Sequence, residues 1–281
     1  MELRFVTVEE LEIAAWEWPG AEPAILFAHA TGFHGRCWDQ VVRGLPGRRC
    51  IAVELRGHGR SAKPAPPYRW RHFGEDVAGV ARAFGLQNAI GVGHSMGGHA
   101  IVSAAGLRRE TFAALLLLDP TIFPPERYRE APLDASFVVK RRNVFASPEA
   151  MFERFRGRPP FASWRPEVLR DYCEFGLLPA GDHFELACPP AIEAAVYRQS
   201  RAPDADLYSE IPCVTVPVAV LRSVKPLEAG LSILSASPTA PGLAAKFPRG
   251  REVPLPNHSH YIPMEDPELV ARQILLLLEQ L

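Results

Sequence analysis

Residues 89–107 form the most constraining stretch of the 281-residue chain. The apolar run Ala89-Ile90-Gly91-Val92-Gly93 is too short for a helix and suits a buried strand. His94-Ser95-Met96-Gly97-Gly98 follows, a turn with little room for side chains, and then a segment of small and apolar residues reaching Leu107, suited to a helix pressed against a sheet. Similar short runs recur at Ala24–Ala28, Ile51–Leu55, Ala113–Leu118 and Val216–Leu221, with a weaker one at Glu252–Leu255. Leu3–Trp18 reads as two strands opening the sheet. Helical spacing covers Phe73–Phe84 and Pro267–Leu281, the second with Asp266 as its cap and Pro267 in its first turn. Strands alternating with helices imply βαβ units and a mostly parallel sheet, an α/β fold.

The alternation breaks between Pro120 and Pro212. That stretch shows no good strand but has helical patches at Pro148–Phe155, Pro166–Phe175 and Pro190–Gln199. It is too long for a loop. The expectation is a core of residues 1–120 and 213–281, with residues 121–212 inserted as a helical cap over the sheet's C-terminal edge.

Composition removes several classes. Hydrophobic residues make up 47% and charged residues 22%, as in a globular protein. The formal net charge of -1 gives no basic excess for holding nucleic acid. The longest apolar runs fall far short of the ~20 residues needed to span a bilayer. Five widely spaced cysteines (Cys37, Cys50, Cys173, Cys188, Cys213) without a CxxC, and a first segment MELRFVTVEE without an apolar core, give a cytoplasmic expectation.

Gly93-His94-Ser95-Met96-Gly97 is G-x-S-x-G, placed between the strand and the helix. A serine on so tight a turn is held in a strained backbone state with its hydroxyl above the sheet. The helix N-terminus then aims amide hydrogens at the same point, where an oxyanion would develop. The same letters also occur in glycine-rich turns that only join strand to helix.

In this context the chain resembles the α/β-hydrolase superfamily over nearly its whole length, in its serine branch with a helical cap. Three further segments carry the resemblance. His29-Ala30-Thr31-Gly32, followed by Trp38, resembles the family's H-G-x-x loop, with Ala30 in place of the usual glycine. Position in that loop implies Thr31 and Met96 as the two oxyanion-hole amides. Glu54-Leu55-Arg56-Gly57-His58-Gly59-Arg60-Ser61 resembles the D-x-R-G-x-G-x-S turn, with Glu54 replacing an Asp whose family role is structural. In Asn257–Pro267, the family pattern of His, Glu five later and Pro seven later fits His260 with Glu265 and Pro267. It does not fit His258. His260 is therefore the expected general base and His258 the alternative. His-x-His can bind zinc, but no cysteine or carboxylate cluster accompanies it, so no metal or cofactor is expected.

The acid departs from the family's common pattern. Arg222-Ser223-Val224-Lys225-Pro226-Leu227-Glu228 has no Asp where most members carry it. Asp119 ends the Leu115–Leu118 run, at a sheet edge where α/β sites sit, and some members take their acid from this strand. Asp119-Pro120 also fits a simple turn into the cap. Glu228 is the second candidate, and a dyad without an acid the third.

The resemblance implies a serine hydrolase cleaving a small-molecule carboxylic ester or lactone through an acyl-enzyme. Thioesters and some amides share that chemistry. The departures at Ala30 and at the acid position leave open a ligand-binding protein on the same scaffold. Lys140-Arg141-Arg142 reads as a solvated face, His34 as a surface residue with substrate contact as the alternative, and His58 and His99 as structural. Phe152, Phe155, Phe161, Trp164, Tyr172 and Phe175 read mainly as packing, with some of them lining an apolar pocket.

Overall fold

The computed structural model describes residues 1–226 and 235–281. Their sheet strands are β1 (Glu2–Val8), β2 (Leu11–Trp18), β3 (Ala21–Ala28), β4 (Arg48–Val53), β5 (Ala89–His94) and β6 (Phe112–Leu118). Helices α1 (Asp39–Arg43), α2 (Trp70–Ala83) and α3 (Met96–Leu107) lie between them. The segment after β6 carries α4 (Ser136–Val139), β7 (Val144–Phe145), α5 (Pro148–Phe155), α6 (Pro166–Phe175), β8 (Leu177–Ala180), β9 (His183–Leu186) and α7 (Pro190–Arg198). The chain closes with β10 (Val218–Ser223), β11 (Gly250–Leu255), α8 (Ile262–Glu265) and α9 (Pro267–Leu278).

The main sheet runs β1-β2-β4-β3-β5-β6-β10-β11 among the described residues. β2 is antiparallel to both β1 and β4, and every later pairing is parallel. The continuous apolar runs are explained by burial on both faces. In β3, Leu26 and Ala28 face a core shared with α2 and α3, while Ile25 and Phe27 face a second core shared with α1 and α9. In β6, Leu115 and Leu117 face the first core, and Leu116 and Leu118 the second. A one-residue register slip would exchange these sets and empty both cores.

The elements between β6 and β10 depart from the all-helical expectation. β7, β9 and β8 form a small antiparallel sheet, with strands of only two to four residues. α5, α6 and α7 start at Pro148, Pro166 and Pro190, because proline suits the first turn of a helix and lacks only an N–H that has no partner there. A third cluster, including Phe33, Cys37, Trp164, Tyr172 and Met264, packs this segment onto the ends of the core strands.

Five histidines are buried at 1% exposure or less: His29, His34, His58, His94 and His99. Burial holds each uncharged, pushing His34 down to about 3, His58 and His99 to about 4, and His29 and His94 well below the ordinary value of 6.5. The unfolded chain therefore takes these protons first as pH falls. Stability from them is complete above about pH 6.5 and is lost towards pH 4. Asp76 and Glu193 are shifted upward by burial and oppose this loss at the acid end. The urea midpoint should drop clearly between about pH 7 and 5.5. Equal midpoints would show that these imidazoles are not buried neutral.

Candidate active site

β5 ends directly in Ser95, which has φ 56 and ψ -119 and precedes the first turn of α3. A non-glycine residue in that region is strained and persists only where its surroundings hold it. Here the Ser95 N–H donates to the Leu118 carbonyl at 3.1 Å, and the Thr121 N–H donates to the Ser95 carbonyl at 2.9 Å. The turn is thus tied to the end of β6. A Cβ on Gly97 would overlap the Ala28 backbone, and one on Gly93 the Gly97 carbonyl, so the turn and α3 approach the sheet only with glycine at both.

The structure brings Ser95, His260 and Asp119 together. Ser95 Oγ lies 3.0 Å from His260 Nε2, and His260 Nδ1 lies 2.7 Å from Asp119 Oδ2. Asp119 is fully buried, with φ 45 just past β6. Its other oxygen, Oδ1, accepts the Ser223 N–H at 3.1 Å and the Ser237 hydroxyl at 2.6 Å. Oδ2 is therefore left facing the imidazole. The His260 loop is fixed by Glu265, which accepts the Ser259 N–H at 2.8 Å and the Ser259 hydroxyl at 2.6 Å.

His258 is elsewhere, with Nε2 3.5 Å from Asp266 Oδ2. Glu228 lies outside the described residues. Thr31 and Met96 are both buried beside Ser95, and the Thr31 hydroxyl donates to Met96 Sδ at 3.3 Å. Among the described residues, no acceptor takes the backbone N–H of either. Glu54 accepts from Trp16 Nε1 at 2.9 Å and from the Arg60 N–H at 2.5 Å, tying its turn to β2. Among the described residues no group of His, Cys, Asp or Glu is arranged to hold a metal ion, and all five cysteines are unpaired.

Two neighbours of Ser95 and His260 do not stand out in the sequence. Thr121 Oγ1 lies 3.0 Å from Ser95 Oγ. His94 Nε2 lies 2.8 Å from the His260 carbonyl, which can only accept, so this nitrogen carries the proton. The His94 ring centroid is 5.0 Å from that of His260. Their signals were slight: a position within the Ser95 motif, and one two residues past Asp119.

Two chambers meet at Ser95, His260 and Tyr197. One, of about 230 Å³, is walled by Phe33, Phe155, Phe161, Trp164, Tyr172 and Tyr261, with Arg141 and Glu193 at its side. The other, of about 400 Å³, includes Phe123, Arg127, Arg201 and Arg222 in its wall. Two expectations are corrected here. Arg141 is not on a solvated face: it pairs with buried Glu193, whose carboxylate packs against Gly32 of the Thr31 loop. His34 is not at the surface: it is buried and donates from Nε2 to the Tyr172 carbonyl at 3.1 Å. Of the aromatic residues between β6 and β10, Phe152 and Phe175 instead sit under the guanidinium groups of Arg170 and Arg36.

The model of the alpha/beta hydrolase family matches residues 25–273. The chain belongs to that family. This hydrolase is 28% identical over 259 residues to 2-(acetamidomethylene)succinate hydrolase from Mesorhizobium japonicum, covering 91% of this chain and 87% of the relative. A crystal structure of E-2-(acetamidomethylene)succinate hydrolase superposes with a TM-score of 0.81 at 24% identity, covering 99% of both chains. A thermophilic esterase from Thermogutta terrifontis, solved with malate bound, superposes with a TM-score of 0.71 at 23% identity, covering 100% of this chain and 99% of the other. Hydrolysis is the activity that the family and these relatives support for the present chain.

Proposed function

We propose that this hydrolase is a serine enzyme that cleaves a carboxylic ester or lactone through an acyl-enzyme. The observation that carries the reading is the unbroken run from Ser95 Oγ to His260 Nε2 at 3.0 Å and from His260 Nδ1 to Asp119 Oδ2 at 2.7 Å. In this reading His260 takes the Ser95 proton as Oγ attacks the carbonyl carbon. The imidazolium then returns that proton to the departing alkoxide, leaving the acyl group on Ser95. Asp119 keeps the Nδ1 proton in place and stabilises the imidazolium. Thr31 and Met96 supply backbone N–H groups to the oxyanion. Water deprotonated by His260 then releases the acid and restores Ser95. Residues 1–120 and 213–281 act as the catalytic core, and residues 121–212 as the cap over the site.

A second substrate reading comes from the similarity to a hydrolase named for an acetamido compound of succinate, matched over 91% of this chain. The same residues would cleave an acylated amine, with His260 protonating the leaving nitrogen. Short p-nitrophenyl esters, lactones and N-acetyl compounds distinguish these readings. The expected result is steady turnover of at least one class with a burst of released alcohol or amine. Tight binding of such compounds without turnover would instead support a ligand-binding protein on this scaffold.

A further inference from the structure

The two chambers differ in charge. In the smaller one the cation is matched: Arg141 is paired with Glu193, and most of the remaining wall is aromatic. The larger one carries Arg127, Arg201 and Arg222, and no Asp or Glu lines it among the described residues. Arg222 is matched by Glu252, with both Nε and Nη2 on Glu252 Oε1 at 3.1 and 3.0 Å. Arg127 and Arg201 are not so matched. Arg127 Nε and Arg201 Nη1 each lie 3.0 Å from one oxygen, Glu130 Oε2. Two guanidiniums therefore share one carboxylate.

Both are held in place as well as under-compensated. Their guanidinium carbons lie 6.0 and 5.6 Å from the centroid of the Phe123 ring, within cation–π range of its face. The Arg201 side chain is only 14% exposed, and its Nε is buried with no hydrogen-bond partner among the described residues. Burial, and then the Arg127 charge, hold Arg201 below the usual guanidinium range. A desolvated cation short of counter-charge is costly alone and becomes favourable when an anion completes it. The guanidinium fork matches a carboxylate or phosphate in two-pronged geometry.

We propose that the larger chamber binds a carboxylate or phosphate group of the substrate, with Arg201 and Arg127 as its donors. This rests on the serine-hydrolase reading, in which the scissile carbonyl lies at Ser95 where the chambers meet. The substrate is then two-part, with an anionic portion in the larger chamber and an uncharged portion against the aromatic wall of the smaller one.

The test measures binding by calorimetry and protection of Ser95 from a fluorophosphonate. The probes are glutarate, phenyl phosphate and uncharged glutaramide, applied to the full chain and to Arg201→Ala, Arg127→Ala and Arg201→Lys. Glutarate or phenyl phosphate should bind and slow labelling, and glutaramide should not. The two anions separate carboxylate from phosphate as the group recognised. Each alanine variant should weaken anion binding roughly 10- to 100-fold, the loss expected of a charge-assisted pair, and Arg201→Lys should recover part of it. Retained thermal melting in the variants separates this loss from misfolding. Labelling of Ser95 that no anion slows, or anion binding indifferent to both arginines, overturns the proposal. If Ser95 of the folded protein takes no label, the serine-hydrolase reading fails, and calorimetry alone decides whether the arginines hold an anion.

Discussion

Ser95→Ala should lower kcat about 10⁵- to 10⁶-fold, to the level that substrate binding and the oxyanion amides alone support. The variant removes one atom, the Oγ that lies 3.0 Å from His260 Nε2 and 3.0 Å from Thr121 Oγ1. Alanine keeps the Cβ and the backbone, so the N–H donated to Leu118 and the carbonyl accepting from Thr121 remain. The fold should melt within a few degrees of the parent. Progress curves on whichever ester or amide the parent turns over give the ratio. A variant retaining more than about one per cent of parental kcat would mean that the nucleophile lies elsewhere.

Asp119→Asn should lower kcat about 10³- to 10⁴-fold without unfolding the protein, the loss expected when a triad acid becomes an amide. The hydrogen bonds around Asp119 dictate the mechanism of the loss. Oδ1 accepts from the Ser223 N–H and the Ser237 hydroxyl, so the amide oxygen of asparagine stays on that side. The NH₂ then faces His260 Nδ1, which lies 2.7 Å from Oδ2 in the parent. An NH₂ group can only donate, so Nδ1 must give up its proton and accept. The proton moves to Nε2, and the imidazole can no longer receive one from Ser95. The loss should shrink at high pH, where hydroxide substitutes for the base. A near-parental rate in Asp119→Asn beside a crippled Glu228→Gln would transfer the acid role to Glu228.

Much of this architecture was legible because the core strands are continuous apolar runs bounded by turns, and because proline marks the starts of α5, α6 and α7. The β7–β9 sheet was not, since strands of two to four residues are too short to show a period. At the site, the motif around Ser95 and the spacing after His260 single out residues that the fold brings into hydrogen-bond contact. Asp119 was reached only by noticing that the loop after the next sheet strand lacks an Asp. Arg141 was misread because three consecutive cations resemble a solvated face. Its partner Glu193 is 52 positions away, and only the packing of α7 joins them. The charge of the larger chamber was equally hidden, since Arg127, Arg201 and Arg222 come from three separate segments.

The central claim is that His260 and Asp119 activate Ser95 as a nucleophile. A fluorophosphonate reacts with a serine only when a neighbouring base removes its proton. Intact mass and peptide mapping of the treated, folded protein should show one adduct, on the peptide carrying Ser95, formed far more slowly in Asp119→Asn. No adduct, or an adduct on another residue, would contradict the account.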